Sequence, residues 1–256
     1  MGGLARVGIA VSAAAIFLLA TAPGSAGSPG HVITMRQPFV RYGALNESGN
    51  RTTAYHNANP GGSAILVTPS FNTTTGHVDS GLWSVSLQGG TTGLESWAGV
   101  YNLTFACARS CATGSHDFVL SWNLSWAAFV SANCSYYYSS GTWARAGMEV
   151  VGSVYNITSG SHSLVGTSQT SLFRLLLATP SYFAGVNGTK LVRLGMNLSL
   201  VSGSSYEIET LVFLHTWAHS KGGCGSRAAA TISSSISYLP LIPPSNSSRL
   251  VSIRVS

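Results

Sequence analysis

A chain of 256 residues is long enough for one large domain or two small ones, and at 45% apolar residues it can bury a core. Charged residues make up only 8%, against about 25% in an ordinary soluble protein, and Ser (40) and Thr (21) stand in for charge on the expected surface. The thirteen basic residues behind the net charge of +6 form no cluster, which excludes a phosphate-tracking nucleic-acid binder, and the apolar and aromatic content excludes a disordered chain.

At the start, Arg6 is the only charged side chain in the first thirty residues. Val7 to Ala22 is a run of small and apolar residues, and Gly24 and Ala26 are small residues at the spacing that precedes a cleavage site. This pattern predicts a signal peptide over 1–26, with an uncleaved membrane anchor as the alternative. Residues 27–62 read as a polar, Gly- and Asn-rich lead.

Strands are predicted at Ala64–Thr68, Leu82–Gln88, Ala98–Ala106, Asp117–Ser131, Thr142–Ile157, Ser171–Ala178, Lys190–Val201, Tyr206–His219, Ala228–Tyr238 and Leu250–Val255. Clusters of Gly, Ser, Asn and Pro separate them, and no segment after the leader shows capped helical periodicity. The expected fold is all-β: an antiparallel β-sandwich over 63–239, one large or two packed, with an internal boundary near 159–168. Residues 240–256 read as a Pro-rich connector and a terminal strand.

Ten of the twelve asparagines begin an Asn-x-Ser/Thr triplet: Asn46, Asn50, Asn72, Asn102, Asn123, Asn133, Asn156, Asn187, Asn197 and Asn246. Chance would give about three, and each acceptor of a glycan must face solvent. Strand periodicity agrees. In Phe118–Trp126 the even positions are Phe, Leu, Trp, Leu and Trp, with Asn123 on the other face; in Val192–Leu200 the even positions are apolar and Asn197 opposes them. The sequons are therefore expected on the polar faces of half-buried strands.

Four cysteines in an exported chain point to two disulfides. Of the three connectivities, Cys107–Cys111 with Cys134–Cys224 is preferred, a local bridge and one joining the ends of two long strands. No metal or cofactor is called for: Cys-x-x-Cys is absent, and His215 and His219, on a strand, lie about 13 Å apart.

Tyr136, Tyr137, Tyr138 and Trp143 surround a Ser-Ser-Gly turn, where aromatic rings can stack on a ligand or close the rim of a core. No catalytic motif is present, so no catalytic residue is assigned. A glycosidase would need two converging carboxylates, and Asp79, Glu95, Glu149, Glu207 and Glu209 are the candidates with nothing to mark a pair. The carboxylates number only seven, so few paired carboxylates can be lost to protonation, and tolerance of low pH is expected.

These features indicate a secreted or cell-surface N-glycoprotein with a structural, adhesive or binding role. The alternative is a secreted glycan or peptide hydrolase. Envelope glycans or other surface proteins are the expected partners, without nucleic acid, and with membrane contact only through an uncleaved N-terminal segment.

Overall fold

The computed structural model describes residues 33–35, 45–55, 62–72, 75–87, 89–107, 113–134, 141–179, 183–232 and 248–255, with the backbone alone described for 33–35, 45–55, 62–68 and 101–102. Twelve strands account for nearly all of them: β1 (Ile33–Met35), β2 (Leu45–Tyr55), β3 (Gly62–Phe71), β4 (His77–Leu87), β5 (Gly90–Ala106), β6 (Gly114–Cys134), β7 (Trp143–Asn156), β8 (Ser163–Ala178), β9 (Phe183–Leu200), β10 (Ser205–Ser220), β11 (Cys224–Ile232) and β12 (Ser248–Val255). All pairings are antiparallel, and the strands form two sheets packed face to face around one core.

The five-stranded sheet runs β2-β5-β10-β7-β8. The other runs β3-β4-β11-β6-β9, with β12 in line with β11 and β1 beside β12. The register shows why: β6 pairs with β11 through Trp126–Cys134 and with β12 through Phe118–Asn123, on the same edge. The chain changes sheet between β4 and β5 through Gly89 and between β9 and β10 through Gly203, both at positive φ (101° and 83°), a conformation glycine adopts without a Cβ clash.

Alternation drives the packing. Along β10, Tyr206, Ile208, Thr210, Val212, Leu214, Thr216, Ala218 and Ser220 are all buried, while the residues between them, apart from Leu211, are partly exposed. Trp122, fully buried, meets the Phe71 ring edge-on and donates its Nε1–H to Thr210 Oγ1 at 3.0 Å. Every buried polar residue described is Ser or Thr, so these residue types are not confined to the surface. Several pair hydroxyl to hydroxyl between the sheets: Ser80 with Ser96, Ser84 with Thr216, Ser86 with Ser220. Small hydroxyls satisfy one another there without placing an ionisable group in the interior.

A strand stands at each of the ten places expected from sequence, with 233–238 of the expected Ala228–Tyr238 outside the described residues, and two more come from the segment expected to be a polar lead. β2 has no apolar alternation (Leu-Asn-Glu-Ser-Gly-Asn-Arg-Thr-Thr-Ala-Tyr); eleven residues of register with β5 hold it in the sheet. Residues 159–168 hold the connection from β7 into β8. A 3₁₀ turn at Thr158–Gly160 joins β7 to β8, which are neighbours in one sheet.

The edges of both sheets are blunted. β3, paired only with β4, carries Pro69 where its register slips between Val67 and Ser70. β8 slips in register twice against β7. Proline and bulges both obstruct edge-to-edge pairing with another chain.

Candidate functional site: the outer face of the five-stranded sheet

In an antiparallel sheet, residues directly opposite one another share a face. His215 on β10 lies opposite Glu95 on β5 and Gly147 on β7, and Gly147 lies opposite Arg174 on β8. One step along, Phe213 lies opposite Trp97 and Glu149; on the other side, Trp217 lies opposite Gly93 and Arg145. Glu207 and Glu209 continue the same face of β10, and Glu47 and Arg51 on β2 occupy register positions on it, opposite Gly99 and Glu95. Glu95, Glu149, Glu207 and Glu209 therefore belong to this one face, whereas both aspartates, Asp79 and Asp117, lie on the other sheet.

Two glycines set the relief of the face. A Cβ on Gly93 would lie 2.5 Å from Trp217 Cε3, 2.6 Å from Cζ3 and 2.7 Å from Cδ2, so the indole lies flat over Gly93. The His215 imidazole closes over Gly147 with its Cε1–Nε2 edge nearest. The Arg145 guanidinium carbon is 5.5 Å from the Trp217 ring centroid, within cation–π range. Trp97 and Phe213 are tilted against each other at 6.5 Å, and Trp143 stacks on His219 at 5.6 Å, with His219 Nδ1 2.8 Å from Thr91 Oγ1.

His215 is held below the ordinary histidine range, first by burial and then by the Arg145 charge; Glu149 and Glu95 pull the other way, and Arg174 adds to the lowering. Further along, His162 stacks on Tyr155 at 4.4 Å and lies 3.7 Å from Glu207. His162 is exposed there, while Glu207 is half-buried.

Of the residues singled out from sequence, Glu95 and Glu149 come together around His215. Their Cα atoms are about 12 Å apart by two strand spacings and a two-residue step. Glu207 and Glu209 lie further down β10, and Asp79 is on the opposite sheet. His215 and His219 do share a strand face, and among the described residues no group of three or more His, Cys, Asp or Glu is placed to hold a metal ion. Trp143 opens β7 and borders the face; Tyr136, Tyr137 and Tyr138 lie outside the described residues.

Cys134 and Cys224 form a disulfide, directly opposite one another in the β6–β11 ladder. Cys107 is disulfide-bonded too, and Cys111 lies outside the described residues.

Among the sequons, Asn72, Asn133, Asn187 and Asn197 are exposed, and Asn123 and Asn156 are half-buried. The side chains of Asn46 and Asn50, on β2, lie outside the described residues. The side chain of Asn102 and all of Asn246 lie outside the described residues. β8 and β10 contain no asparagine.

The signal in the sequence for this face was the shared parity of Glu207, Glu209, His215 and His219 along β10. The contribution of β5, β7 and β8 depends on pairing between distant segments. Fold and face together define a class: a disulfide-bonded two-sheet β-sandwich with one charged, aromatic outer face. No protein-family model matches the chain, and no curated protein matches its sequence. Among the described residues no helix is long and apolar enough to cross a membrane.

Proposed function

We propose that this is an exported N-glycoprotein, secreted or held at the cell surface, which acts by binding through the outer face of its five-stranded sheet. The observation that carries this is the exposure of the sequons. No described sequon asparagine is buried: Asn123, Asn187 and Asn197 lie on β6 and β9 and Asn156 ends β7, while β8 and β10 hold no asparagine. Sugars at these positions would leave β10, with Glu207, Glu209, His215 and Trp217, without an acceptor of its own. The Cys134–Cys224 disulfide suits an oxidising compartment.

Expression from its own leader tests this. The protein is expected outside the cytosol, beginning after Ala26, or retaining the leader if it is anchored, with oxidised cysteines. Cytosolic protein with reduced thiols would contradict the proposal. A hydrolase is the second reading, and the specific observation behind it is the placement of Glu95 and Glu149 on either side of His215. Release of new reducing ends or peptide termini, abolished in Glu95→Gln or Glu149→Gln, would favour it over a purely binding role.

A further inference from the structure

We infer that the free edge of β9 pairs, antiparallel, with β9 of a second copy of this chain, about a two-fold axis through Leu191. The contact joins two seven-stranded sheets edge to edge. It concerns a different surface from the binding role proposed above and does not depend on it.

The edge is the first ground. β9 is 18 residues long and pairs with β6 from Phe183 to Leu200 without a slip in register. It contains no proline, so it lacks both devices that obstruct β3 and β8. At the end of its sheet it presents a row of backbone N–H and C=O groups outward.

Two glycines are the second ground. Gly185 and Gly195 are exposed and neither has a positive φ. A Cβ on Gly195 would meet nothing within 4 Å, and one on Gly185 would make only ordinary contacts, at 3.4 to 3.5 Å. Glycine weakens a strand, and among the described residues nothing calls for it at either place. With Leu191 on the axis, Gly195 lies opposite Asn187 of the second copy, and Gly185 lies opposite Asn197 of the second copy. These are the two sequon asparagines of β9, both exposed. Each missing side chain then leaves room for the amide, or for the first sugar on it. Moving the axis by one residue removes the match. About Val192 the two asparagines face each other, and about Lys190 the two lysines do.

Side chains and area are the third. Leu191 is 48% exposed in the single chain and meets its own copy on the axis. Lys190 falls opposite Val192 and Arg193 opposite Thr189, so no cation directly opposes another. The two Lys190 side chains are diagonal neighbours, and their repulsion keeps the contact weak and reversible. From Phe183 to Ser199 the paired edge is about 55 Å long; at a width of ~10 Å the two copies bury about 1,100 Å² in total, just above the ~1,000 Å² expected of a biological contact.

Sedimentation equilibrium of the exported protein, up to about 100 µM because a contact of this size is weak, tests the inference. A monomer–dimer equilibrium is expected, tighter at about 0.5 M salt than at about 0.05 M, because the repulsion between the lysines is screened. Leu191→Arg, at an exposed position, should weaken the dimer about ten-fold or more with circular dichroism unchanged. A short bis-maleimide should link Leu191→Cys to itself across the axis, where the two Cβ atoms lie about 5 Å apart. It should link Thr189→Cys far less, since those two positions are offset by roughly 13 Å. Enzymatic removal of the sugars should leave the dimer in place.

Five results would overturn the inference: a monomer at every concentration and salt; a dimer that Leu191→Arg does not weaken; a dimer that salt disperses, which would place opposite charges in the contact; linking of Thr189→Cys as fast as Leu191→Cys, which would mean another register; or dissociation on removal of the sugars, which would make the glycans the contact. Protein that carries no sugar would remove the glycoprotein reading and leave this measurement intact.

Discussion

Trp217 lies flat against Gly93, with its Cε3 2.5 Å from where a β-carbon would be. Gly93 is in the middle of a paired strand, so its missing side chain serves the ring above it and no turn. Gly93→Ala should therefore lift the indole from the sheet. A cost of about 1–3 kcal/mol is expected for this overpacking, together with a shift in tryptophan emission. Denaturant unfolding and fluorescence measure both, and an unchanged midpoint with unchanged emission would mean that the ring does not lie there.

His215 makes stability depend on pH in a known direction. Its folded-state pKa is lowered by burial and by Arg145, against Glu149 and Glu95 and with Arg174, so the unfolded chain takes up a proton first as pH falls. The stability that His215 supports is complete above its ordinary value of 6.5 and is lost progressively as pH drops from there through the lowered value. His215→Gln should thus lose less stability than the parent between about pH 7.5 and pH 5. Melting temperatures at the two pH values decide it. Below that range the interior contributes little pH dependence, because its polar groups are Ser and Thr hydroxyls, which fits the tolerance of acid expected from the scarcity of carboxylates.

The Cys134–Cys224 bond closes a loop spanning 90 residues, and β7, β8, β9 and β10 all lie inside it. Three of the strands that build the charged face are thus stapled at one point. On the chain-entropy account, Cys134→Ser/Cys224→Ser should cost roughly 4–5 kcal/mol. Chemical denaturation of the double variant beside the parent measures this, and a loss within error of zero would show that the bridge does not constrain the unfolded chain.

Thr210 lies between Trp122 and the β7 backbone: its hydroxyl accepts from Trp122 Nε1 at 3.0 Å and donates to the Val151 carbonyl at 3.1 Å. Thr210→Val keeps the volume and removes both bonds. A fully buried indole N–H is then left without an acceptor, at a cost of about 1–3 kcal/mol. Trp122→Phe in the Thr210→Val background should recover part of it, because the orphaned donor is gone. Urea unfolding of the two variants tests that order.

The strands were legible where large apolar residues alternate with polar ones, as in Phe118–Trp126 and Val192–Leu200, because burial of one face requires that period. Past Asn123 the pattern in β6 breaks down: Ser125, Ala127 and Phe129 on its outer side are buried too, and Phe129 is held between the Trp83 and Phe183 rings. Those contacts come from neighbouring strands and leave no trace in the spacing within β6. β2 was illegible for a related reason, since an edge strand can be held by backbone pairing alone. The gathering of Glu95, Glu149, Arg145 and Arg174 around His215 follows from register between segments far apart in the chain. The buried Ser–Thr pairs were read as surface because a hydroxyl residue's partner lies in the other sheet.

Site-resolved glycopeptide mapping of the exported protein addresses the glycoprotein proposal most directly. Occupied sugars at the outward-facing Asn123, Asn187 and Asn197 are the predicted result. Unmodified asparagines throughout would contradict it.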